Sequence, residues 1–162
     1  MTLYRSVAAV GVSLGHPDLA AADHWILSLD PRPRLACTHL VTTPHRHVAI
    51  SLTTTEVYET EPELQAAADA AVDGKFGRAV IFPGVEELTG IRTVAEILEL
   101  SAIERVEVLG SGVADGDAQV DTRDFVRPQY RDSELVLTTT PAAGGVLVPF
   151  ETRDPTPCCA NH

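Results

Sequence analysis

Basic residues are scarce in this chain. Lysine occurs once, at Lys75, and 12 basic residues face 23 acidic ones, which leaves a net charge of −11. A surface so negative repels phosphate backbones and anionic lipid instead of exchanging counterions with them, so neither nucleic acid nor a membrane surface is an expected partner. Long apolar runs are missing too: no stretch approaches the ~18 residues that a membrane helix needs. The nearest thing to a targeting segment is Arg5 followed by the apolar residues 6–14. That run is short, rich in valine and interrupted by Gly11 and Ser13, so it reads as a first β-strand. Cysteine is sparse and odd in number, with only Cys37, Cys158 and Cys159. Three thiols make no disulfide framework, and a reducing cytoplasm is the compartment they fit. There is no Walker-type phosphate loop, no Gly-x-Ser-x-Gly elbow, no linker and no convincing repeat.

What remains is a chain of 162 residues, 44% hydrophobic and 22% charged, long enough to bury a core without staples. It reads as a single globular domain over 1–162, with 151–162 as a tail containing proline and cysteine. The clearest element begins at Thr60-Glu61-Pro62-Glu63, a capping-box pattern, and continues through Leu64, Ala67, Ala68, Ala71 and Val72 at helical spacing. Ala79-Val80-Ile81-Phe82, ended by Pro83-Gly84, reads as a strand buried on both faces. A second capping box, Thr93-Val94-Ala95-Glu96, opens another helix, and Val106 to Leu109 reads as the next strand. The order strand, helix, strand, helix, strand predicts a central parallel βαβαβ segment over strands near 48–53, 79–82 and 105–109. Segments at 24–29, 35–41 and 48–52 upstream, and at 125–127, 134–139 and 146–150 downstream, lie too close together for helical crossovers and predict antiparallel hairpins. The fold class is therefore α/β, shading into α+β, with a mixed sheet.

Several groups of residues invite a chemical reading. Gly110-Ser111-Gly112 lacks a following periodic helix and is surrounded by Asp115, Asp117 and Asp121, which argues for an acidic connection over a nucleotide loop. Asp23-His24 and His16-Pro17-Asp18 read as surface residues. The carboxylates Glu86, Glu87, Glu96, Glu99 and Glu104 read as solvated charges. The hairpin is more specific. Cys37-Thr38-His39 and His45-Arg46-His47 each hold two metal-capable side chains at i and i+2. A three-residue connection, Thr42-Thr43-Pro44, would pair His39 with His47 and bring Cys37, His39, His45 and His47 to one face. Leu40, Val48, Ile50 and Leu52 would then form a core on the other face.

The tail, Pro155-Thr156-Pro157-Cys158-Cys159-Ala160-Asn161-His162, offers two thiols and an imidazole within five residues. That ligand set suits zinc first, with copper(I) or nickel as alternatives, and a structural zinc site would need a fourth ligand such as His45 or His47. The expectation from sequence is thus a small cytoplasmic metal-binding protein with Cys158, Cys159, His162, His45 and His47 as the ligand candidates, in a structural or metal-handling role. Two other readings stand beside it. One is an α/β protein that binds a non-metal ligand or a protein partner near the carboxyl ends of its strands. The other is a thiol redox switch built on the adjacent pair Cys158 and Cys159.

Overall fold

The structure is a computed structural model that describes residues 8–72 and 76–152. Among these residues, eleven strands and three α-helices give a mixed, sheet-dominated α/β architecture. The chain divides into two compact units: the first comprises 8–83 with 129–134, and the second comprises 84–128 with 135–152.

In the first unit the elements are β1 (Ala8–His16), α1 (Leu19–Leu27), β2 (Leu35–Val41), β3 (His47–Thr54), α2 (Gln65–Ala71) and β4 (Gly77–Ile81). The strand order is β1-β3-β2-β4, with a late strand (Gln129–Arg131) beside β4, and every ladder is antiparallel. Helices cover both faces of this sheet. One face buries Val12, Ala36, Val48, Ile50, Leu52, Val80 and Ile81 against Ala22 and Ile26 of α1. The other sets Ala49 against Ala67 and Ala71 of α2. Each fully buried Ile or Leu side chain contributes roughly 1.5–3 kcal/mol, so the α1 face is the energetic centre of the unit.

The second unit holds β5 (Ile91–Thr93), α3 (Val94–Leu100), β6 (Arg105–Val108), β7 (Gly112–Val113) and β8 (Gln119–Asp121). The strand at Gln129–Arg131 is β9; β10 (Glu134–Pro141) and β11 (Leu147–Pro149) follow. The parallel ladders run between β6 and β10 and between β8 and β11, whereas β10–β11, β5–β8 and β6–β7 are antiparallel.

The parallel pairing is thus sited differently from the sequence expectation. β3 and β4 do point the same way, but β2 sits between them, because the hairpin closes locally and β4 then pairs with the free edge of β2. The ladder that makes β6 parallel is formed with β10. Residues 24–29 belong not to a strand but mostly to α1. The Asp18 side chain accepts a 2.8 Å hydrogen bond from the Ala21 amide, which starts a helix at Leu19 whose Ala22, Asp23 and Ile26 face the sheet. Residues 125–127 form no strand; the Arg127 guanidinium lies 4.0 Å over the Phe125 ring instead.

The two capping boxes part ways. At α3 the box is complete: Thr93 Oγ1 accepts from the Glu96 amide at 3.1 Å and Glu96 Oε1 from the Thr93 amide at 3.0 Å. At α2 it does not form. A 3-10 turn over Pro62–Leu64 precedes the helix, and Thr60 Oγ1 accepts from the Ser13 amide of β1 at 3.0 Å. A tertiary partner has taken the hydroxyl that the local motif would have used.

Candidate functional site

The β2–β3 hairpin carries the densest set of reactive side chains among the described residues. Its ladder pairs Val41 with His47, His39 with Ala49 and Cys37 with Ser51. The connection is therefore the five residues 42–46, not three, and every pair is shifted by two from the expected one. A shift of two preserves side-chain parity, so Cys37, His39 and His47 do share a face. His45 does not join them in the ladder; it lies in the connecting loop, after the cis Thr43–Pro44 bond, and is exposed. The opposite face holds Val48, Ile50 and Leu52 in the core, as parity requires, but Leu40 is 78% exposed.

The shared face is partly covered, with Cys37 and His47 buried and His39 and Ser51 only partly so. α2 lies across it, and Gly11, paired with Ser51, lets the helix approach so closely that a Cβ at this position would meet the Ala68 carbonyl. Two polar groupings involve residues of this face, the second together with His45 of the loop. In the first, His39 Nε2 and Ser51 Oγ share a hydrogen bond of 2.8 Å, and Ser51 also hydrogen-bonds the Cys37 thiol. Gly77 of β4 walls this group: an added Cβ would come within 2.8 Å of His39 Cε1 and 3.2 Å of Cys37 Cβ. Burial holds the His39 imidazole below its ordinary range and so keeps it neutral. Burial likewise pushes the Cys37 thiol up to about 12, the hydrogen bond to Ser51 opposing the shift only in part.

The second grouping is His45 with His47. Their ring centroids are 5.1 Å apart at an interplanar angle of 45°. The Nδ1–H of His47 donates to the His45 carbonyl at 2.8 Å, which fixes the tautomer and leaves Nε2 as the lone-pair nitrogen. His47 is only 3% exposed, and its Nε2 is buried without a hydrogen-bond partner.

The remaining candidates separate. Cys158, Cys159 and His162 lie outside the described residues. No set of three or more His, Cys, Asp or Glu side chains converges as a metal site among the described residues. Gly110 to Gly112 turn the β6–β7 hairpin, and Gly110 and Gly112 take positive φ there. Asp18 caps α1, and the His16 ring stacks obliquely on Trp25 at 5.7 Å, half-buried, with burial lowering its pKa more than nearby Asp18 raises it. Asp23 departs most from its surface reading: it is buried, with its carboxylate paired to Arg78.

Sequence reasoning missed Ser51 and Gly77. Ser51 was discoverable, since strand parity from His47 places it on the same face four residues on. Gly77 left no local signal, because its role depends on which strand lies beside β2. Comparisons with protein-family models, with curated proteins and with solved structures give no match for this chain. No helix among the described residues is long and apolar enough to cross a membrane.

Proposed function

We propose that this protein binds a transition-metal ion in the cytoplasm, zinc above copper or nickel, with His47 Nε2 as the anchoring ligand and His45 as its neighbour. The observation that carries the reading is the unpartnered, buried Nε2 of His47 behind an Nδ1–H held by a backbone carbonyl. Metal-bound histidines characteristically donate their second nitrogen to a carbonyl or carboxylate, which orients the ring and raises its basicity. A buried acceptor left empty is costly, and a metal ion removes that cost.

Ring spacing supports the same reading. With Zn–N bonds of ~2.0–2.1 Å and a tetrahedral angle between them, two imidazoles on one ion have centroids roughly 5 Å apart. The His45–His47 separation of 5.1 Å matches. The acidic chain, at −11, favours cations over anionic ligands. Cys158, Cys159 and His162 are proposed as further ligands on their chemistry alone, and the experiment treats them separately.

Tag-free full-length protein, stripped with chelator, is titrated with zinc, copper(I) and nickel by calorimetry and competition dye. Stoichiometric zinc binding is expected, weakened at least tenfold in His47→Ala and less in His45→Ala. A Cys158→Ser, Cys159→Ser, His162→Ala variant that also loses affinity assigns the tail to the ligand set, and one that does not confines the ligands to the hairpin. Zinc binding unchanged by His47→Ala, or no binding of any of the three ions, refutes the proposal.

A further inference from the structure

The grouping at the other end of the hairpin is chemically distinct from the His45–His47 pair. We infer that Ser51 is a nucleophile activated by His39, acting on uncharged or cationic carboxylic esters. The inference does not depend on metal binding.

Three observations converge. The Ser51 hydroxyl and His39 Nε2 are 2.8 Å apart, inside the range at which an imidazole removes a hydroxyl proton as the oxygen attacks. Both residues keep part of their surface exposed, unlike the buried Cys37 beside them. Gly77 leaves room for the His39 ring in this position, since an added Cβ would come within 2.8 Å of its Cε1 and force it to move. The same geometry chooses serine over cysteine. With its thiol pushed up to about 12 by burial, Cys37 stays protonated at pH 7 and serves as a hydrogen-bonding neighbour of Ser51 instead.

The step balances without any outside oxidant or reductant. Ser51 Oγ forms a bond to the ester carbonyl carbon while its proton passes to His39 Nε2. The C–O bond to the leaving alcohol breaks, and the alkoxide takes that proton. Water then repeats the sequence in reverse roles, releasing the carboxylic acid and restoring the Ser51 hydroxyl. Phosphate esters are disfavoured by the net charge of the chain, which leaves acyl esters as the substrate class.

Among the described residues, the groups around His39 are few. Cys37 and Ser51 flank it on the face, His47 lies further along that face, Gly77 closes the β4 side, and α2 turns alanines toward the sheet. His39 is therefore the titrating group expected to control the reaction in the acid range.

The test uses the full-length protein with a fluorophosphonate probe, intact mass and peptide mapping, followed by hydrolysis of p-nitrophenyl acetate. A single adduct on Ser51 is expected, absent in Ser51→Ala and slowed at least 100-fold in His39→Gln, the scale of a lost general base. Labelling should rise with pH through a midpoint below 6.5. If circular dichroism shows His39→Gln to be unfolded, the wild-type pH profile decides in its place. No adduct on Ser51, an adduct whose rate ignores His39→Gln in a folded variant, or a flat profile between pH 4 and 8 overturns the inference.

Discussion

Arg78 grips Asp23 with two parallel hydrogen bonds, Nη1 to Oδ1 at 2.7 Å and Nη2 to Oδ2 at 2.8 Å, and Nη1 also reaches Thr38 Oγ1 at 3.2 Å. The pair fastens α1 to β4, and its side chains are about nine-tenths buried. Removing one member of a buried pair strands the other charge away from water, which costs about 3–5 kcal/mol. Asp23→Ala is therefore expected to lose that much in urea unfolding at pH 7. The double variant Asp23→Leu, Arg78→Met should recover most of the loss, since it removes both charges. Equal destabilisation by Asp23→Ala and by an exposed control such as Asp69→Ala would show that the pair carries no such weight.

Gly11 sets how near α2 lies to the sheet. A methyl group at this position would fall 1.8 Å from the Ala68 carbonyl oxygen, a backbone atom that moves only if the helix moves. Gly11→Ala is expected to cost at least the upper part of the ~1–3 kcal/mol typical of overpacking, with the loss visible in the urea midpoint. Gly90→Ala is a useful contrast: nothing lies within 4 Å of its added Cβ, so its cost should come only from its positive φ of 64°.

Acid should weaken the first unit before it weakens α3. The imidazoles of His39 and His16 both titrate below 6.5 in the folded protein because burial disfavours their charged forms. Below 6.5 the unfolded chain binds protons that the folded chain does not, so stability falls as pH drops from 6.5 toward the folded values and rises again on return. Glu96 behaves oppositely in cause and later in pH: hydrogen bonds from Thr93 lead the causes that lower its carboxyl, so its contribution is present above 4.5 and lost as pH falls through the folded value. Urea denaturation from pH 8 to 5 should show a decline that His39→Gln reduces. A pH-independent midpoint over that range would contradict the placement of both rings.

Much of this fold was legible because its signals are local. The Thr93–Glu96 box worked since donor, acceptor and spacing lie within one turn of chain. The hairpin face was readable because parity survives an error of two in register, so Cys37, His39 and His47 were grouped correctly from a wrong loop length. Where the deciding partner was distant, the reading failed. Thr60 gave its hydroxyl to Ser13, Asp23 found Arg78 fifty-five positions away, and β6 paired with β10 after a separation no periodicity encodes. His45 fell out of the ladder for a related reason, since the two extra loop residues cost parity nothing but left it no strand position.

The β2–β3 hairpin also bears on how such chemistry is inherited. Cys37, His39, His45, His47 and Ser51 all lie in one uninterrupted stretch, and the connection that brings them together is the five-residue loop between adjacent antiparallel strands. Their mutual arrangement is fixed by a single turn and register, whereas Gly11, Gly77 and the alanines of α2 only shape the surroundings. The reactive constellation is therefore a transplantable cassette: recombination or engineering that moves residues 35–54 as one piece carries the whole grouping into another sheet.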